Sequence, residues 1–158
     1  MAKAGTIFDA VRYDDDHHAW VLQEMALVKA GRFADLDAKN LADELRELAV
    51  SEEREIESRL TVLLQHLLKW EFQPEGRTNS WRASILEQRY RINRVISRSP
   101  SLRRHPESVI GEEYRIARLR AADETGLPLN RLPSACPYSA SEICDEKFWP
   151  GGGGDFEA

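Results

Sequence analysis

The sequence predicts an all-α fold: a single-domain helical bundle of about four main helices, one of them long, with a Pro-rich C-terminal tail that contains a short helix. Three observations carry this. Apolar residues recur in steps of three and four, most visibly at Leu41, Leu45, Leu48, Ile56, Leu60, Leu63, Leu67 and Trp70, which places them along one side of a helix. Start and stop signals bracket each such run. No stretch alternates apolar and polar residues with the two-residue period of a half-buried strand.

The first helix is expected over about Asp14 to Ala30. In "YDDDHHAWVLQE", Asp14 can cap the helix, and Asp15 and Asp16 sit where the positive end of the helix dipole favours anions. Trp20, Met25 and Val28 follow on the helix, and Gly31 stops it. The same residues also carry a metal reading, because Asp14 with His17 and Asp15 with His18 share an Asp-x-x-His spacing. Adjacent His17 and His18 point about a hundred degrees apart on a helix of roughly 3.6 residues per turn, so both cannot serve one ion. The cap account is adopted.

The second helix starts near Asp35 and ends at "FQPEGRT", where Pro74 and Gly76 break it. Unbroken, it would extend about 55 Å at roughly 1.5 Å per residue, so a kink or break near Val50 and Ser51 is expected. The third helix begins at Thr78 or Asn79, turns Trp81, Ile85, Ile92, Val95 and Ile96 inward, and closes before Ser99. Pro100 suits the first position of a new helical turn, and Pro106 restarts the segment. The fourth helix carries Val109, Ile110, Ile116 and Leu119 to a stop at Thr125-Gly126. A last short helix starts at Ser139, whose partner Glu142 makes a capping box. Phe148 and Trp149 are expected to dock on the bundle. Residues 1–12 are expected to be flexible, 13–150 to form the domain, and 151–158 to be a disordered Gly-rich tail.

Composition narrows the class. With 42% hydrophobic and 31% charged residues, the chain reads as soluble and globular. The most apolar window, "LTVLLQHLLKW", is too short to span a bilayer, and Asp9 interrupts any secretory apolar region. A cytoplasmic location is expected, with Cys136 and Cys144 as free thiols. Net charge is −5 but segregated. Residues 1–72 hold nine Lys/Arg against fifteen Asp/Glu, whereas residues 77–120 hold eleven Arg against four Glu.

Four constellations are candidates for function. Glu52, Arg59 and His66 lie seven apart on the line of Leu45, so they fall beside the apolar stripe, and Glu55 precedes Arg59 by four. They make either a structural ion network or a catalytic site, with His66 as acid or base, Glu52 or Glu55 positioning it, and Arg59 or Arg82 holding an anion. Glu52 and His66 stand about 21 Å apart along a straight helix, too far to share one metal ion. On the third helix Arg82 and Arg89 flank the inward stripe and can reach acidic residues of a neighbouring helix. Arg91, Arg94 and Arg98 project from the opposite face, where they can bind nucleic acid or be neutralised within the chain. Trp70 and Trp81, with Arg82, form an aromatic corner that either recognises a partner or stiffens the turn. No His has a Glu three residues before it, and no Gly-rich phosphate loop, HExxH or GxSxG occurs. No cofactor is implied.

The stretches "YDDDHHAWVLQE", "AGRFADLDAKNLADELREL", "SRLTVLLQHLLKWEFQPEGRTNSWRASILEQRYRI", "SPSL", "DETGLP" and "CPYSASEICDEKFWP" together resemble the bacterial family called domain of unknown function twenty-nine. The resemblance covers about Tyr13 to Pro150. It implies an all-helical fold and assigns no catalytic residues, and family members often carry a glycine in the region of Val50.

The expected role is therefore a small binding or interaction protein, with the Arg91, Arg94, Arg98 face and the Trp70/Trp81 corner as contact surfaces. A protein partner is expected. Nucleic acid is disfavoured by net charge, no membrane is involved, and a homo-oligomer is compatible with the long helix. The alternatives are an enzyme using His66, Glu52, Glu55 and Arg59, and a metal protein using Asp14, His17 or His18.

Overall fold

The computed structural model describes residues 10–154. Expectations for residues 1–9 and 155–158 lie outside them. Five α-helices and four short 3-10 turns account for the regular structure, and no strand occurs among the described residues. The chain divides into two compact units at Ala49/Val50.

The first unit is a helical hairpin. Its α1 runs over His17–Lys29 and is capped by Asp16, whose side chain accepts the Ala19 N–H at 2.9 Å. Asp14 was the expected cap. The start slips by two residues because Tyr13 to Asp15 form a turn in which Asp15 and Asp16 donate to the Arg12 carbonyl. A 3-10 turn over Phe33–Asp35 leads to α2, Ala38–Phe72. Asp37 accepts the Asn40 N–H, while its own N–H is bound by the buried Glu24 carboxylate at 2.9 Å. Within this unit the buried side chains are Trp20 and Glu24.

Of the kink or break expected near Val50 and Ser51, the break is absent: α2 is one uninterrupted helix of 35 residues. Neither residue lacks the backbone N–H that the helical ladder needs, and Val costs a helix only a few tenths of a kcal/mol. The unit boundary thus falls inside a continuous helix.

The second unit holds the core, built from Ile56, Leu60, Leu63, Leu64, Leu67 and Leu68 of α2, Ile85, Ile92 and Val95 of α3 (Asn79–Arg98), and Tyr114, Ala117 and Ala121 of α4 (His105–Thr125). Thr78 caps α3 by accepting the Trp81 N–H. A 3-10 turn over Pro100–Arg104 feeds directly into α4, with Pro106 in its first turn, where no N–H is missed. Gly126 ends α4 at φ 71°, a left-handed conformation that a side chain would oppose. Ser139 and Glu142 form the expected capping box of α5, Ala140–Cys144. Cys136 and Cys144 are free thiols, and burial raises the pKa of each.

Two stripes are corrected. Ile116 and Leu119 of α4 are exposed, and the inward face carries Tyr114, Ala117 and Ala121. The small alanines allow close approach, and the Tyr114 hydroxyl reaches the Pro133 carbonyl at 2.7 Å, so the helix sits rotated from the position its bulkiest residues suggest. Leu45 and Leu48 of α2, placed on the core stripe, are 66% and 65% exposed.

The tail is tied down further than expected. Phe148 and Trp149 pack on the core as anticipated. In addition, Gly151 to Gly153 take positive φ, and the Gly152 carbonyl accepts the Trp70 indole N–H at 3.0 Å, so the start of the Gly run is bound to the core.

Candidate functional site

The polar line on α2 separates into distinct local networks. Glu52 accepts from Arg98 at 2.6 Å and from the Ser99 hydroxyl at 2.7 Å, tying α2 to the end of α3. These two donors hold its carboxyl below the ordinary range. Arg59 lies 3.8 Å from Glu55 and donates to Gln88 at 3.4 Å. His66 turns back on its own helix, with Nδ1 2.8 Å from the Val62 carbonyl. Glu52, Arg59 and His66 therefore do not converge on one point. A cleft of about 570 Å³ runs beside Asn93, Arg103, Arg104, Ser139 and Cys144, and one of about 300 Å³ beside Glu55, Arg91, Arg94 and Arg98. His66 lines neither.

One turn further along, a network invisible to helix-by-helix reading appears. Lys69 is buried, donates to Glu124 of α4 at 2.6 Å, and lies 4.4 Å from the centre of the Trp81 ring. Gln65 donates to the other Glu124 oxygen at 2.6 Å. The Lys69 ammonium thus gains a carboxylate and an aromatic face in exchange for water. Similar long-range pairs join Thr61 to Glu113, His105 to Glu57 at 3.0 Å, and Tyr138 to Glu71 at 2.5 Å. Their partners stand 48 to 67 residues apart in the chain, so no local spacing signals them.

The titration of these groups separates by pH. Burial lowers the His66 pKa from its ordinary 6.5, and Lys69 adds to the shift, while the Val62 carbonyl and Glu124 oppose it. The folded chain therefore binds fewer protons than the unfolded chain below 6.5, and this contribution to stability is lost as pH falls through that window. Glu52 and Glu124 are lowered from 4.5, so their contributions hold above 4.5 and fade only as pH drops through their folded values. Accordingly, His66→Gln is expected to flatten the decline in urea midpoint that sets in as pH falls below 6.5, leaving the carboxylate-linked decline below 4.5 in place.

The aromatic corner and the arginines resolve by burial. Trp70 is fully buried, packs against Trp149 with ring centres 4.9 Å apart and the planes tilted by 51°, and has the Arg77 guanidinium 4.8 Å from its ring. It serves the core and is not presented as a contact surface, while Trp81 covers Lys69. Arg89 was expected to reach acidic residues. Instead it is fully buried and donates to the carbonyls of Ile143 at 2.8 Å and Phe148 at 2.6 Å, because the tail's unpaired carbonyls lie nearer than any carboxylate it could bind directly. Arg82 is half-buried. Arg91, Arg94 and Arg98 are exposed as expected, but Arg91 pairs with Glu87 at 2.9 Å and Arg98 with Glu52.

In the hairpin, His17 pairs with Glu44 at 3.1 Å, and the Tyr13 hydroxyl donates to the same carboxylate at 2.6 Å. Among the described residues no three His, Cys, Asp or Glu side chains come together to hold a metal ion, so Asp14, His17 and His18 form no such group.

What the hairpin does present is apolar. Val21, Leu22, Met25 and Val28 on α1, Phe33 in the turn, and Leu45 and Leu48 on α2 are 39–67% exposed. Glu24 bonds to Asp37, and His17 and Tyr13 to Glu44, so residue numbers rise along α1 as they fall along α2 and the two run antiparallel. At about 100° per residue, Val21, Met25 and Val28 lie about a quarter-turn past the Trp20/Glu24 contact line of α1. Leu45, with Ala38, Ala42 and Ala49, lies about the same angle past the Glu44 line of α2, in the same sense. On antiparallel helices equal rotation in the same sense faces the same way. Both stripes therefore share one side of the hairpin, and their exposed area is on the order of several hundred Å², as large as the biggest apolar patch of a typical monomer, about 300–600 Å².

A sequence signal for this face exists. Trp20 and Leu27 already supply α1 with an inward side, so Val21, Met25 and Val28 form a second apolar side that one neighbouring helix cannot cover.

The family model described as "Domain of unknown function DUF29" matches residues 12–149. The chain belongs to this family. The match takes in the hairpin and the core-bearing unit alike, from the Tyr13 turn to Trp149. No curated protein and no solved structure matches the chain. DUF29 membership brings no catalytic assignment to any of the residues above.

Proposed function

We propose that this protein is a protein-binding module whose contact surface is the apolar face of the α1/α2 hairpin. The observation that carries the reading is the exposure, on one side of the hairpin, of Val21, Met25 and Val28 of a helix that already has a buried side and of Leu45 of its neighbour. A solvated surface would place charge there, and a contiguous apolar patch of this kind marks an interaction site. The arginine face is the weaker claimant, since Glu87 and Glu52 already neutralise two of its three members. The inter-helix enzyme reading lacks a convergent set, because His66, Arg59 and Glu52 each serve a separate structural contact.

Two measurements test the reading. Leu45→Arg is expected to leave folding stability within about 0.5 kcal/mol, as befits an exposed position. In cells, a photo-crosslinking residue at Leu45 or Phe33 is expected to trap a protein that the same residue at Glu47, round the helix from the face, does not trap. Equal trapping at all three positions, or a collapse of stability in Leu45→Arg, would refute it.

A further inference from the structure

The hairpin also holds a cavity of about 350 Å³, bounded by residues 10–14, one side of α1 and the loop that starts α2. That volume suits a small organic molecule. One wall is pinned in place, since the Val11 N–H donates to the Gln23 side chain at 3.0 Å and the Tyr13 ring meets the Trp20 ring edge-on with centroids 4.9 Å apart. None of the residues of the apolar face lines this cavity.

Two of the side chains that do line it are buried and incompletely paired. Trp20 is 1% exposed, and its indole N–H is buried without a hydrogen-bond acceptor. A donor in that state calls for an acceptor atom. Glu24 is 2% exposed and accepts the Asp37 N–H at 2.9 Å through Oε2, yet no Lys, Arg or His among the described residues forms an ion pair with it. A buried carboxylate left without a cation favours one. The Asp37 carboxylate stands on the same cavity and accepts the Asn40 amide at 2.7 Å. Asn40 holds the Asp37 carboxyl below the ordinary range and the Trp20 indole adds to this, so the indole N–H lies toward Asp37 while falling short of a hydrogen bond to it. In all, four carboxylates line the cavity against one basic residue, Arg12, whose Nε lies 4.0 Å from Asp15.

These groups make opposite demands on an occupant. The carboxylates attract positive charge, whereas the indole N–H is a donor only and opposes a bare ion. A metal ion is disfavoured further, because among the described residues no three His, Cys, Asp or Glu side chains come together to hold one. From the cation-free Glu24 and the acceptor-free Trp20 N–H on one cavity, we infer that the hairpin binds a small organic cation, a primary ammonium that pairs with Glu24 and Asp37 and carries an oxygen within a few bonds to accept from Trp20. The inference does not rest on the apolar contact surface.

The test titrates the whole chain, labelled with ¹⁵N, with three small probes: glycinamide, which has both groups, propylammonium, which has the charge alone, and acetamide, which has the acceptor alone. The Trp20 indole resonance, identified by its loss in Trp20→Phe, and the Asp37 amide report binding. Glycinamide is expected to shift both signals and to bind at least about fivefold tighter than either of the other probes. Glu24→Gln keeps an acceptor for the Asp37 N–H and removes the charge, so it is expected to weaken glycinamide at least about tenfold. Trp20→Phe, followed at the Asp37 amide, is expected to erase the advantage of glycinamide over propylammonium. Circular dichroism shows that the helices of each variant are intact, and if either variant unfolds, the ranking of the three probes on the unaltered chain decides alone. No shift with any probe, glycinamide no tighter than propylammonium or acetamide, or undiminished glycinamide binding by folded Glu24→Gln overturns the inference.

Discussion

Replacing Arg89 with methionine is expected to lower stability by about 3–5 kcal/mol and to release residues 139–150 to rapid hydrogen exchange. Arg89 is fully buried at the centre of α3, and its Nε and one Nη satisfy the carbonyls of Ile143 and Phe148. Its guanidinium carbon also lies 5.3 Å from the centre of the Trp149 ring. Burial pulls its pKa down to about 10, with the nearby Asp145 carboxylate opposing the shift, so the side chain stays charged at neutral pH. Methionine fills much of the volume but leaves the buried Ile143 carbonyl and the part-buried Phe148 carbonyl without their donors. Lysine keeps the charge and loses the fork that spans two acceptors, so Arg89→Lys is expected to recover only part of the loss. Chemical denaturation gives the first quantity, and exchange measured peptide by peptide gives the second. A loss below about 1 kcal/mol would mean that the tail is held by packing alone.

Truncating Trp70 to alanine is expected to cost about 3–5 kcal/mol, the usual range for removing a large aromatic from a core. Trp70 is fully buried and touches the tail twice, through Trp149 and through its indole N–H to the Gly152 carbonyl. Phenylalanine separates the two contributions. It retains most of the apolar contact and removes the donor, so Trp70→Phe is expected to cost about 1–2 kcal/mol beyond the lost area and to free the Gly151–Gly153 segment. A Trp70→Phe loss no larger than the apolar area removed accounts for would show that the indole bond contributes nothing separable from packing. Thermal melts with a tail-specific probe at Gly154 distinguish these outcomes.

Both positions show how far local pattern reaches. Arg89 was legible as a residue beside the inward stripe of α3, because a period of about 3.6 residues fixes which side it occupies. Its ligands were not, since they are backbone carbonyls some fifty residues away that only the folded tail brings near. Trp70 illustrates the converse. Its neighbourhood to Trp81 followed from the turn between α2 and α3, yet adjacency did not reveal that Trp70 is sealed inside and Trp81 lies over Lys69. Glu52, Arg59 and His66 were placed on one line of α2 by their spacing, and what separated them was where α3 ends and which donors it offers there. The helix stops at Gly31 and Gly126 were legible because each requires a positive φ, a property of the residue itself.

The amino-acid order alone determined the helical class, the approximate helix limits and the capping box at Ser139, for these depend on periodicity and on single-residue conformational preference. Only the tertiary structure decided which apolar side of each helix is covered: Tyr114, Ala117 and Ala121 rather than Ile116 and Leu119, and Ile56 onward rather than Leu45 and Leu48. The reason is that a stripe specifies a side of a helix, whereas burial depends on the presence of another surface against it. Where the hairpin has none, the same hydrophobic periodicity that builds a core along the rest of α2 leaves an open face.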